Sequence, residues 1–170
     1  MGLILNRTRS QTLRAHAPEK PYGHDTYWNR LGREIVGVGG PVGLDDPPTR
    51  SVIALTTKEQ VGHTVEVVPG IYRVVDVDAL ARMNSKVPDA EVLTPDDLNL
   101  YVGYAGWTAG QLEGELANGF WTLAAASDAF IQDCMFKFSM DTVIGPDGKR
   151  VPMDPHGKNA WTSMRSSLGM

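Results

Sequence analysis

Residues 101–121 leave the fewest alternatives for the fold, because strand, turn and helix signals follow one another there without interruption. Residues 100–104 are apolar and aromatic, which predicts a buried strand. Gly106 permits a sharp reversal of the chain after that strand. Trp107 and Trp121 lie before and after a short predicted helix. Their large apolar rings are predicted to pack this helix against the sheet.

The predicted helix begins near residue 109. Thr108 and Gln111 are three residues apart, the spacing of a capping box, in which each side chain satisfies a backbone N–H of the first turn. Leu112 and Leu116 then lie on one helical face. Gly119 is placed to end the helix as a C′ glycine, so the helix is amphipathic and short.

Further strands and helices are predicted on both sides of this segment. Residues 8–23 are polar and contain two prolines, which indicates a loop with one helical turn at most. Asp76 or Asp78 caps a short helix, and Pro69-Gly70 makes a hairpin turn. The predicted strands are residues 1–5, 35–38, 52–55, 65–68, 71–75, 121–125 and a small hairpin formed by 140–144 and 150–153; a second short helix starts at Asp128 and a terminal one covers 159–168. Together they predict a single α+β domain, with a mainly antiparallel mixed β-sheet flanked by short α-helices.

Composition narrows the function classes. The 170 residues carry a formal net charge of −4, which disfavours nonspecific nucleic-acid binding, and 42% of them are hydrophobic, as in ordinary globular proteins. The single cysteine, Cys134, favours a reducing compartment and hence the cytoplasm. No apolar run has the length of a membrane span, and the first residues do not form a secretory signal. An organelle remains open if an upstream targeting segment exists.

The sequence contains residue types that act in catalysis, but their spacing does not match a known catalytic or metal-binding pattern. Glu113 and Glu115 are two residues apart on a helix, so they point to different faces and do not form an acid–base pair. Ser127 and Cys134 lack the elbow motif of a hydrolase nucleophile. The four histidines lie far apart and lack the spacing of metal ligands. We therefore predict no catalytic residue, no metal and no cofactor.

Several segments together resemble the AlgH/YqgE family of poorly characterised proteins. They are Met1-Gly-Leu-Ile-Leu-Asn-Arg7, Val38-Gly-Gly-Pro-Val42, Val68-Pro-Gly-Ile-Tyr72, Gly103-Tyr-Ala-Gly-Trp107 and Gly110-Gln-Leu112 with Trp121, followed late in the chain by Trp161. The resemblance covers nearly all of residues 1–170 and implies an α/β fold of the predicted kind. Two departures stand out: the strands that usually precede the first segment are absent, and residues 136–158 form a longer loop or hairpin insertion. An open sheet edge would then invite pairing with a second copy.

The leading interpretation is a non-catalytic regulatory or interaction module, and the AlgH name itself comes from a link to transcriptional regulation. Its predicted surface for a protein partner or a small anionic ligand comprises Asn6, Arg7, Gly39, Gly40, Pro41, Gly106, Trp107 and Gln111. The glycine turn has two readings, an anion-binding loop and a purely structural turn, of which the structural one is favoured. The alternative function is an enzyme acting on a small anionic substrate, with Arg7 as the charge clamp. Direct nucleic-acid binding is a third, less favoured class.

Overall fold

A computed structural model describes residues 1–5, 8–17, 26–43, 52–86, 92–136, 142–144 and 150–152. The strands are β1 (Thr8–Thr12), β2 (Ile35–Val38), β3 (Val52–Thr56), β4 (Thr64–Val68), β5 (Ile71–Val74), β6 (Asn99–Val102), β7 (Thr142–Ile144) and β8 (Arg150–Pro152). The α-helices are α1 (Leu13–His16), α2 (Thr26–Leu31), α3 (Val77–Lys86), α4 (Gln111–Ala117) and α5 (Asp128–Phe136), and a 3-10 turn spans Pro95–Asp97. No helix within these described ranges is long and apolar enough to cross a membrane.

Six strands form one sheet in the order β1-β2-β6-β3-β5-β4. Only β2 and β6 run parallel; every other neighbouring pair is antiparallel. The β4–β5 hairpin turns at Pro69-Gly70 as predicted, with Gly70 at φ +73° and its N–H donated to the Glu66 carboxylate. Strands β7 and β8 pair as the predicted small hairpin. The predicted α+β fold with a mainly antiparallel sheet is therefore confirmed.

Both faces of the sheet are covered, and the alternation of side chains along β3 and β6 shows how. Ala54, Leu100 and Val102 belong to a core shared with α2 and α3, whereas Ile53 and Tyr101 point to a second core that includes Met135 of α5. Successive strand residues face opposite sides, so a continuous apolar run fills two cores at once.

Two hydrogen-bonded anchors fix the helices of the first core. Asp76 caps α3 by accepting from the Ala79 N–H at 2.9 Å, which decides between the two predicted caps. Tyr27 of α2 is completely buried and donates its hydroxyl to the Leu93 carbonyl at 2.9 Å. Asn84 of α3 donates to the same carbonyl at 3.0 Å. A single backbone oxygen therefore holds α2 and α3 together.

Three predictions about elements need correction. Residues 1–5 form no named strand; their backbone makes a bridge from Gly2 to Ala105 and a hydrogen bond from the Ile4 N–H to the Gly39 carbonyl. The polar residues Thr8–Thr12, predicted as loop, pair with β2 as an edge strand, because a neighbouring strand can override weak local propensity. Residues 121–125 are exposed and form no strand. The terminal helix predicted over 159–168 lies outside the described residues.

Candidate functional site

The carboxyl end of β6 meets two other segments through backbone contacts. Val42 and Tyr104 exchange hydrogen bonds at 2.9 and 3.1 Å, and Gly2 and Ala105 exchange two more, both at 2.9 Å. The Gly39 N–H donates to the Val102 carbonyl at 2.9 Å. These bonds join the glycine turn that follows β2 to the segment that follows β6, at one end of the sheet.

Gly39 and Gly40 are buried because the chain passes directly over them. A Cβ on Gly39 would lie 2.4 Å from the Gly103 carbonyl oxygen, and one on Gly40 would lie 2.1 Å from the Tyr104 carbonyl carbon. The backbone of residues 103–105 occupies the space that an anion would need at this turn. This geometry favours the structural reading of the glycine turn. Pro41, next in the chain, is exposed.

After Gly106 comes Trp107, the first of two tryptophans whose indole rings contact each other. Trp107 packs its ring over Gly2, where an added Cβ would lie 3.1 Å from the ring. The rings of Trp107 and Trp121 meet edge to face, with centroids 6.1 Å apart and planes inclined by 73°. The indoles at the two ends of α4 therefore contact each other, and Trp121 remains 50% exposed.

Glu115 lies between the two indoles, and its carboxylate accepts a hydrogen bond from each. Its Oε2 receives the Trp107 Nε1–H at 3.0 Å and the Trp121 Nε1–H at 2.6 Å, and its Oε1 receives the Gln111 amide at 2.9 Å. Hydrogen bonds from Trp121, Trp107 and Gln111 lower the pKa of Glu115 by favouring its ionised form. From the sequence, Glu115 was predicted only to face a different side of the helix from Glu113, and neither indole was predicted as its partner.

The ends of α4 explain how this geometry forms. Gln111 accepts the Thr108 N–H at 3.1 Å, as the predicted capping box requires, but the Thr108 hydroxyl turns to the Gln111 side chain and Gly110 is the N-cap. The helix begins at Gln111, two residues later than predicted. At the other end, the Gly119 N–H donates to the Leu116 carbonyl and the Phe120 N–H to the Glu115 carbonyl, a Schellman motif with Gly119 at C′ as predicted. This turn brings Trp121 back over Glu115.

Helix α4 and the segment that follows it expose apolar side chains to solvent. The helix contains no buried residue, and Leu112 and Leu116 are only partly buried. Phe120 is 74% exposed and Leu123 is 80% exposed. We call Trp107, Phe120, Trp121 and Leu123, with Glu115 between the indoles, the indole surface.

The structure brings together six of the eight residues predicted for the binding surface. Gly39, Gly40, Pro41, Gly106, Trp107 and Gln111 all lie at or beside the carboxyl end of β6, while Asn6 and Arg7 lie outside the described residues. Glu115, Phe120, Trp121 and Leu123 were missing from the prediction. In the described ranges no three histidine, cysteine or carboxylate side chains are grouped to hold a metal ion.

Comparison with known proteins decides the family, because the AlgH-like family model matches residues 1–141. The chain belongs to the AlgH-like family. Relatives that carry the family name UPF0301 protein include one from Xylella fastidiosa, 31% identical over 78% of this chain and 64% of its own length. One from Nocardia farcinica is 31% identical over 74% and 53%, and one from Pelodictyon phaeoclathratiforme is 34% identical over 58% and 48%. This AlgH-like chain thus spans about half to two thirds of the length of these relatives.

A solved structure agrees with the fold. The solution structure of the AlgH protein from Pseudomonas aeruginosa matches with a TM-score of 0.55 and 26% identity, over 78% of this chain and 64% of that one. The names of these AlgH-like proteins describe a family of uncharacterised proteins and assign no molecular function.

The shared carboxylate predicts a pH-dependent indole surface. Because the folded pKa of Glu115 is depressed, its stabilising hydrogen bonds are present above the unfolded pKa and are lost as the pH falls through the lower folded value. We expect the indole N–H signals of Trp107 and Trp121 to shift together in an NMR titration from pH 7 to about 3, with a midpoint below the ordinary glutamate value of about 4.3.

The matched control for that titration is Glu115→Gln, which keeps an acceptor oxygen but does not ionise in this range. It should remove the shared midpoint and leave other signals unchanged. A midpoint at or above the ordinary value in the unmodified chain would contradict the assigned hydrogen bonds.

Proposed function

We propose that this AlgH-like chain is a non-catalytic interaction module that binds a protein partner through the indole surface. The observation that supports this most strongly is the exposure of Phe120, Trp121 and Leu123, which lie within four consecutive residues of the chain, at 74%, 50% and 80%. Contiguous exposed apolar side chains on a folded protein mark interaction sites. Tryptophan is also among the residues most enriched in binding hot spots.

The second support is the rigidity of the rings. The hydrogen bonds of Trp107 and Trp121 to Glu115 hold both indoles before any partner arrives. A side chain that is already ordered loses less conformational entropy on binding, so it contributes more to affinity. Glu115 also places a negative charge among apolar groups, which favours a partner with an apolar segment beside a basic residue.

A regulatory role exerted by binding fits the family resemblance, and the single cysteine among 170 residues favours action inside the cell. The competing enzyme hypothesis drew on an open glycine turn as an anion cradle. The close approach of Tyr104 and Ala105 backbone to Gly40 gives that hypothesis no support.

A photo-crosslinking experiment tests the proposal. We would place benzoylphenylalanine at Phe120, which replaces one exposed aromatic by another, and at Val61, which is 91% exposed and lies outside the indole surface. A partner captured from position 120 and absent from position 61 is the expected result. With that partner purified, Trp121→Ala should weaken binding by about 30-fold, the size of a hot-spot effect.

Two outcomes would contradict the proposal. One is the same set of adducts from both positions, and the other is unchanged affinity after Trp121→Ala. Val61→Ala is the matched variant for affinity, and the thermal midpoint of Trp121→Ala separates lost binding from lost folding.

A further inference from the structure

A cleft opens at the end of the sheet where β3 begins and where β5 and β6 finish. Its volume is about 600 Å³, and its walls include Ile53, Arg73, Asp76, Asp78 and Tyr104. This volume suits a small organic molecule. The cleft also lies at the carboxyl end of the parallel pair β2 and β6, the side of parallel strands on which ligands commonly bind. It is distinct from the indole surface.

Arg73 supplies the positive charge of the cleft. It lies on β5 directly opposite Leu55 of β3 and is partly buried. Within the described parts of the chain no carboxylate forms an ion pair with its guanidinium. A partly buried cation is costly to leave without a counter-charge, and the planar guanidinium matches a carboxylate in two parallel hydrogen bonds.

Two aspartates supply the negative charge of the cleft. Asp76 uses Oδ1 to accept the Ala79 N–H, which leaves its Oδ2 without a partner among the described residues, and Asp78 has an interaction of its own. The side chains of the lining include two carboxylates and one guanidinium. The carboxylates attract an ammonium group close to the carboxylate that Arg73 takes.

We propose that this cleft binds a small zwitterion, a free α-amino acid with an apolar side chain being the simplest member of the class. The carboxylate of the ligand pairs with Arg73 and its ammonium group with Asp76. Its apolar part lies against Ile53 and Tyr104. This assignment combines one cation, one available carboxylate oxygen and an apolar wall in a cleft of suitable size.

NMR titration of the full chain with free leucine, methionine and phenylalanine tests the assignment. The expected result is saturable shifts of the backbone signals of β5 and of the start of α3. Two derivatives of the best binder then separate the two charges. The methyl ester lacks the carboxylate and should bind at least about tenfold more weakly, as should the N-acetyl form, which lacks the ammonium group.

Variants of the chain complete the test. Arg73→Gln should weaken binding at least about tenfold, and Asp76→Asn should weaken it while retaining a good helix N-cap. Arg82→Gln, at an exposed position of α3 outside the cleft, is the matched control and should bind normally. The proposal is overturned if none of the three amino acids produces saturable shifts, if Arg73→Gln binds as well as the unmodified chain, or if the N-acetyl form binds as tightly as the free amino acid.

Discussion

Replacing Gly40 by alanine is expected to destabilise the fold by about 3 kcal/mol or more, a large share of the stability of a typical domain. The new Cβ would lie 2.1 Å from the Tyr104 carbonyl carbon and 2.3 Å from the Ala105 nitrogen. Both contacts are with backbone, which cannot rotate away as a side chain can. The hydrogen bonds of Tyr104 to Val42 and of Ala105 to Gly2 hold that backbone in place.

Urea denaturation followed by circular dichroism measures this effect, with Gly62→Ala as the matched control. Gly62 has φ +81° and open space around its Cβ position. Alanine there carries only the cost of a left-handed backbone, about 1 to 2 kcal/mol. Equal losses of unfolding free energy in the two variants would contradict the close packing of the glycine turn.

Tyr27→Ala is expected to cost about 3 to 5 kcal/mol of unfolding free energy, as for other fully buried aromatic residues. Tyr27 has no exposed surface and lies in the core between α2 and α3. Its removal leaves a cavity and also frees the Leu93 carbonyl from one of its two donors.

Tyr27→Phe separates these two contributions. It keeps the ring and removes only the hydroxyl, while Asn84 still donates to Leu93, so the expected loss is about 1 kcal/mol. The same denaturation measurement applies. A loss for Tyr27→Phe as large as that for Tyr27→Ala would show that packing of the ring is not the main term.

Local signals in the sequence predicted those elements whose geometry is decided within a few residues. The Pro69-Gly70 hairpin and the Gly119 terminus of α4 both depend on glycine conformations that the sequence displays directly. The core strands β3 and β6 were predicted for a similar reason, since their sequences are apolar on both faces.

Elements that depend on distant partners could not be predicted in the same way. The composition of residues 121–125 is that of a strand, but no strand among the described residues pairs with them. Thr8–Thr12 shows the reverse case, a polar segment made into a strand by its partner β2.

The same distinction applies to the candidate site. The positions of Trp107 and Gln111 around the turn after β6 followed from their local pattern. The burial of Gly39 and Gly40 under Tyr104 was not, because that contact joins segments about sixty residues apart in the chain. Glu115 could not be placed in the site from the sequence, because its partners are two indoles that lie on either side of α4 in the chain.

The arrangement in which one carboxylate serves two rings makes Trp107 and Trp121 energetically dependent on each other. Removing either ring takes one of three hydrogen-bond donors from the Glu115 carboxylate, so the carboxylate is held less firmly and the remaining ring loses part of its own restraint. The effects of the two single substitutions therefore do not sum to the effect of the double substitution. For evolution this means that a change tolerated at one tryptophan alters which residues are acceptable at the other.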